Sequence, residues 1–170
     1  MTARIVLGNG VFFLGALILV FLGLIRTKRN ILIAQILQEL FMGAGMLILG
    51  GISGFIADMI SILRNLVCIR WNFTLKWKLI FIAAQVGLYA AFGAEGFYGW
   101  MPVVAMALFT WFLDTENVVL LKVLIAVMQL MWLVYDISIV NYVGMMVDVV
   151  SAVTNVVGIF LVRKTKSGQL

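Results

Sequence analysis

Gly54-Phe55-Ile56-Ala57-Asp58-Met59-Ile60-Ser61-Ile62-Leu63-Arg64-Asn65 and Gly144-Met145-Met146-Val147-Asp148-Val149-Val150-Ser151-Ala152-Val153-Thr154-Asn155 read as two versions of one helix. Each keeps Gly, Asp, Ser and Asn in the same order, and each matched pair stands 90 positions apart (144−54, 148−58, 151−61, 155−65). At about 100° per residue the four positions fall within about 60° of arc, so each set lines one helix face. A carboxylate and an amide at hydrocarbon depth are costly, and they turn toward a bundle interior or a watery cavity. Two copies in register therefore predict two equivalent half-sites around one cavity.

The composition sets that cavity in a bilayer. Hydrophobic residues fill 65% of the 170 positions and charged residues 11%, against about half and about a quarter in a soluble domain. Apolar runs of about 20 residues, the length of one bilayer crossing, recur along the chain. The reading is an all-α polytopic membrane protein. The net charge of +5 does not make a nucleic-acid surface, because the basic residues sit in short loops between apolar runs and orient a chain against a membrane. With one cysteine, Cys68, and no histidine, Cys- or His-based metal sites and imidazole acid–base chemistry are excluded. No cofactor or metal is expected, and Cys68 is expected to pack as a small apolar residue.

Gly, Pro and charged breaks divide the chain into seven candidate helices near 5–25, 31–50, 52–70, 78–94, 99–113, 118–136 and 140–163. The run from Ile5 to Ile25 is too long for the apolar region of a signal peptide and reads as the first span. The stretch from Ile31 to Leu63 exceeds one crossing, and Gly50-Gly51-Ile52-Ser53-Gly54 is where it turns back. Val140-Asn141-Tyr142-Val143-Gly144 is the same break displaced by 90.

The loops after helices 1, 3 and 5 and the tail hold ten basic residues: Arg26, Lys28, Arg29, Arg70, Lys76, Lys78, Lys122, Arg163, Lys164 and Lys166. Arg4 alone stands on the other side, and Arg64 lies within helix 3. The excess of Lys and Arg marks the cytoplasmic face, which puts the N-terminus outside and the C-terminus in the cytoplasm. The repeat arranges the seven transmembrane helices as 3+1+3: residues 1–70 with helices 1–3, 71–97 with the connecting helix 4, and 98–170 with helices 5–7 and a short basic tail. A one-helix connector leaves the two three-helix repeats parallel, related by an axis along the membrane normal.

Several stretches carry a resemblance. Asn9-Gly10-Val11, the turn Arg26-Thr27-Lys28-Arg29 leading to Gln35, the spacing of Arg64 and Arg70, Met101-Pro102-Val103-Val104, and the helix with Gly144, Asp148, Asn155 and Arg163 resemble the YgjV-type family of bacterial inner membrane proteins. More distantly, the 3+1+3 arrangement is similar to the SWEET, SemiSWEET and PnuC superfamily of small-molecule carriers. That likeness implies a multi-pass protein of the bacterial inner (cytoplasmic) membrane with substrate contacted by an asparagine on the third helix of each repeat, here Asn65 and Asn155. Proline falls in the first helix of only one repeat, as Pro102.

The expected function is a small-molecule transporter with a polar substrate site between helices 3 and 7, formed by Asn65, Asn155, Asp58, Asp148, Ser61 and Ser151. Alternating access would come from one repeat moving against the other. Proton coupling through Asp58, Asp148 or Glu39 is left open, as is the bland reading in which the two aspartates cap helix ends near the outer surface. Glu39 and Arg64 lie at about 12 Å and 9 Å from the cytoplasmic ends of helices 2 and 3, at 1.5 Å per residue, and are expected to form an ion pair. The competing reading is a non-transporting scaffold or sensor working through intramembrane helix contacts. No catalytic constellation is present, so an enzyme is not expected. The partners expected are the lipid bilayer and a small polar solute, not nucleic acid, with a homo-oligomer left open. Trp71, Trp77, Tyr98 and Trp100 read as a belt at the membrane boundaries.

Overall fold

The computed structural model describes residues 3–22, 28–71, 73–93, 95–113 and 117–167. They form seven α-helices: α1 (Ala3–Leu22), α2 (Lys28–Leu49), α3 (Ile52–Arg70), α4 (Leu75–Phe92), α5 (Gly96–Phe112), α6 (Val118–Ile139) and α7 (Tyr142–Ser167). Helices are what an apolar chain must form in lipid, where backbone groups find partners only within the segment. Leu32–Leu49, Ile52–Arg70 and Leu75–Phe92 are long and apolar enough to cross a membrane, and shorter apolar stretches occupy α1, α5, α6 and α7. Arg26 and Asn72 lie outside the described residues, as do the side chains of Lys28, Lys122, Arg163, Lys164 and Lys166.

The seven helices follow the spans read from the sequence, with shifted ends. α4 begins at Leu75, so Lys78 is a helical residue of its first turn and not a loop residue. It is buried, and its Nζ donates to the Trp111 carbonyl at 2.9 Å. There it satisfies a last-turn carbonyl of α5 with a charge of favourable sign. α6 continues to Ile139, which carries Asp136 one turn inside the helix instead of at its end.

The two tight turns match atom for atom. After α2, Gly50 N donates to Leu47 O and Gly51 N to Met46 O; after α6, Val140 N donates to Ile137 O and Asn141 N to Asp136 O. Both pivots adopt positive φ, +88° at Gly50 and +60° at Val140. Gly50 takes this conformation freely, whereas a β-branched residue there is strained.

Packing runs in a circuit: α1 on α2, α2 on α3, α3 on α5, α5 on α6, α6 on α7, and α7 back on α1, with α4 against α3 and α5. Phe12, Ala16, Met42, Met46 and Tyr135 form one buried cluster, and Ile56, Ile60 and Phe81 another. Outward-facing Phe13, Leu63, Phe92, Val150 and Phe160 are exposed, as lipid-facing side chains should be. Trp71, Tyr98 and Trp100 are exposed, and Trp77 stacks between Trp71 and Phe81 at centroid distances of 6.3 and 6.0 Å.

Candidate functional site

Inside the circuit is a cavity of about 390 Å³ whose wall draws on all six of its helices. Its residues pair off at the 90-residue offset. Asp58 faces it with Asp148, Ser61 with Ser151, Glu39 with Gln129, Met42 with Trp132 and Met46 with Asp136. The polar stripe of α3 and that of α7 thus open on one space.

Asp58 and Asp148 are buried, and each keeps an oxygen (Oδ2) without a hydrogen-bond partner. Neither caps a helix end, because other groups hold the first-turn N–H donors. In α3, Ser53 N donates to Glu95 Oε1 and Gly54 N to the Tyr135 hydroxyl, both at 2.9 Å. In α7, Val143 N donates to Asn9 Oδ1 and Gly144 N to Asn141 Oδ1, both at 3.0 Å. These donors are again 90 positions apart, yet one helix start faces a carboxylate and a phenol and the other two amides. The positive end of α3 is the one that meets negative charge, the favourable sign for a helix N-terminus. The Tyr135 hydroxyl also reaches Glu95 Oε1 at 3.4 Å.

At the far end of the stripe the two asparagines differ. Asn155 lines the cavity, and its Nδ2 donates to Ser151 O at 2.9 Å. Asn65 is buried behind the wall and donates to Glu39 Oε2 at 3.2 Å. Glu39 and Arg64 both face the cavity and lie within electrostatic reach of each other, while their hydrogen bonds go to other groups. Glu39 accepts from Asn65, while Arg64 donates to Thr110 Oγ1 at 3.3 Å and lies 5.0 Å from the centre of the Phe109 ring. An arginine can spread its donors over several partners, and an aromatic face takes part of its charge.

One cavity residue has no place in the sequence reading. Asp136 is 1% exposed, lines the same cavity, and leaves Oδ1 without a partner. It lies within electrostatic reach of both Asp58 and Asp148. The residue 90 positions before it is Met46, so a search for polar residues matched at that offset passes over it. The cost of any intramembrane carboxylate was the signal that could have found it. Gly144 belongs to the same arrangement, for a Cβ there would collide with Asp136 Oδ2, as one at Gly54 would collide with Met46 Sδ.

A polytopic helical protein with a buried, carboxylate-lined cavity is the class that fold and site define. The chain belongs to a family of bacterial inner membrane proteins, Imp-YgjV, whose match spans residues 6–166. Its place is therefore the bacterial inner membrane. No curated protein and no solved structure matched the chain.

Proposed function

We propose that this protein is a carrier of a small polar solute, and not an enzyme, with one site at the interface of two parallel three-helix repeats, α1–α3 and α5–α7. The observation that carries this reading is the cavity wall itself, which Asp58 and Asp148, Ser61 and Ser151, and Glu39 and Gln129 line together at a single 90-residue offset. The packing circuit is consistent with it, since exchanging α1 with α5, α2 with α6 and α3 with α7 turns the α3–α5 contact into the α7–α1 contact. Two like units around a central polar site, with one connecting helix outside, suit alternating access by rocking of one unit against the other. This is the arrangement that the likeness to the SWEET and PnuC carriers implies, with the N-terminus outside and the C-terminus in the cytoplasm. Asn155 and the serines contact solute in this reading, and Asn65 holds Glu39 in place.

Counterflow in proteoliposomes over a panel of labelled neutral and charged solutes is the test. A solute that exchanges through the wild type and not through folded Asn65→Ala/Asn155→Ala supports the carrier. No exchange with any solute, together with a double variant that loses its fold, points to a scaffold instead.

A further inference from the structure

The cavity carries more acid than its own side chains neutralise. Glu39, Asp58, Asp136 and Asp148 face it, and Arg64 is the one basic side chain on its wall among the described residues. Asp58 Oδ2, Asp136 Oδ1 and Asp148 Oδ2 have no hydrogen-bond partner, on side chains only 8%, 1% and 7% exposed. All three stand within about 10 Å of the turn end, at 1.5 Å per residue from Ile52, Ile139 and Tyr142. Arg64 lies about 9 Å further along α3 and is already engaged with Thr110 and Phe109. Acceptors left unsatisfied in a low-dielectric interior are costly, and the three residues that carry them line one cavity.

The rest of the wall selects among the cations that could answer them. Met42, Met128 and Trp132 present apolar surface beside the aspartates. A hard metal ion draws its oxygens to about 2.3–2.6 Å of one point, and the described residues hold no group of three His, Cys, Asp or Glu that close together. The several N–H donors of an organic cation can reach carboxylates that stand further apart. An N–H-bearing organic cation meets both demands, with charge-assisted hydrogen bonds at its head and an apolar body against the thioethers and the indole.

We propose that the turn end of this cavity binds the ammonium or guanidinium head of a small organic cation through Asp58, Asp136 and Asp148. The inference rests on the carrier reading and names the solute class for that same site.

Isothermal titration of the purified protein tests it with tyramine and agmatine, set beside tyrosol, the uncharged counterpart of tyramine, and 4-hydroxyphenylacetate, its anionic one. One or both cations bind, and the uncharged and anionic counterparts bind at least about tenfold more weakly. Asp136→Asn keeps the shape of the side chain and weakens cation binding by about tenfold or more with its thermal unfolding unchanged. Should that variant fail to fold, Asp148→Asn makes the same measurement. The proposal is overturned if neither cation binds, if tyrosol or the anion binds as tightly, or if the folded variant retains wild-type affinity. Counterflow separates the two readings: cation binding without exchange keeps the site and removes the carrier, whereas exchange of an uncharged solute without cation binding does the reverse.

Discussion

Gly45 of α2 and Tyr135 of α6 stand 90 positions apart and do opposite things. Between α1 and α2 the contact is backbone on backbone. A Cβ at Gly45 would stand 2.8 Å from Gly8 O and from Phe12 N, and one at Gly15 would stand 2.8 Å from Gln38 O. Small residues that let helices approach this closely are a principal means of association in a membrane, where lipid is as apolar as leucine. Shifted by 90, Gly8, Gly15 and Gly45 become Tyr98, Ala105 and Tyr135. Tyr135, which stands where α2 has Gly45, is fully buried in a cluster with Phe12, Ala16, Met42 and Met46 of α1 and α2, and its hydroxyl crosses to the start of α3. At one position of the 90-residue offset, then, the absence of a side chain lets two helices touch, and at the other a large side chain bridges to helices beyond its neighbour. The symmetric feature is the cavity wall, and the supports behind it diverge.

The comparison breaks most severely at Tyr135. Tyr135→Ala removes a fully buried ring that packs edge-on to Trp132 at 5.9 Å and is expected to destabilise by about 3–5 kcal/mol, read from an SDS unfolding titration. Gly45→Ala attacks the α1–α2 seam. Its methyl meets backbone, which cannot swing aside, and a loss of about 2–3 kcal/mol is expected in the same titration, toward the upper end of overpacking costs. A Gly45→Ala protein as stable as wild type would mean that the α1–α2 seam tolerates bulk and that the two positions do not differ in kind.

The helix starts sharpen the contrast at smaller scale. Tyr135→Phe strips the acceptor from Gly54 N, and Asn9→Ala strips it from Val143 N. Each should lower stability by about 1–2 kcal/mol, the usual range for a lost N-cap, whichever group supplied it. The smallest effect has the opposite sign. Val140→Gly gives the second turn the residue that the first turn has at Gly50, relieves a left-handed valine, and is expected to raise stability by about 1 kcal/mol. Gly50→Ala is the mirror experiment, with a loss expected because φ is +88° and the Arg4 side chain crowds the site.

Much of the candidate site is legible in the sequence. The matched stripes put Asp58, Ser61, Asp148 and Ser151 on one face each, and all four line the cavity. Periodicity misplaces Asn65 because it assigns an angle on that residue's own helix and is silent on the neighbour that stands in front of it, here Glu39 of α2. Matching depths bring Glu39 and Arg64 within electrostatic reach of each other, but depth does not reveal that Asn65 takes the hydrogen bond to Glu39 and Thr110 the one from Arg64. Asp136 is hidden by a boundary. A helix taken to end at that residue leaves it at the membrane surface, and three more residues of α6 bring it inside.

By itself the sequence determined the membrane class, the seven helices and the two polar faces. Hydrocarbon admits only chains whose backbone is satisfied within the segment, and helical periodicity then fixes each side chain's direction on its own axis. Only the tertiary structure decided that α3 meets α5 while α7 meets α1, that Asp136 joins the two aspartates, and that the α1–α2 seam closes on glycine while Tyr135 reaches across to α3. Those outcomes depend on how closely and at what rotation separate helices pack, which is set by the fit of their surfaces to each other.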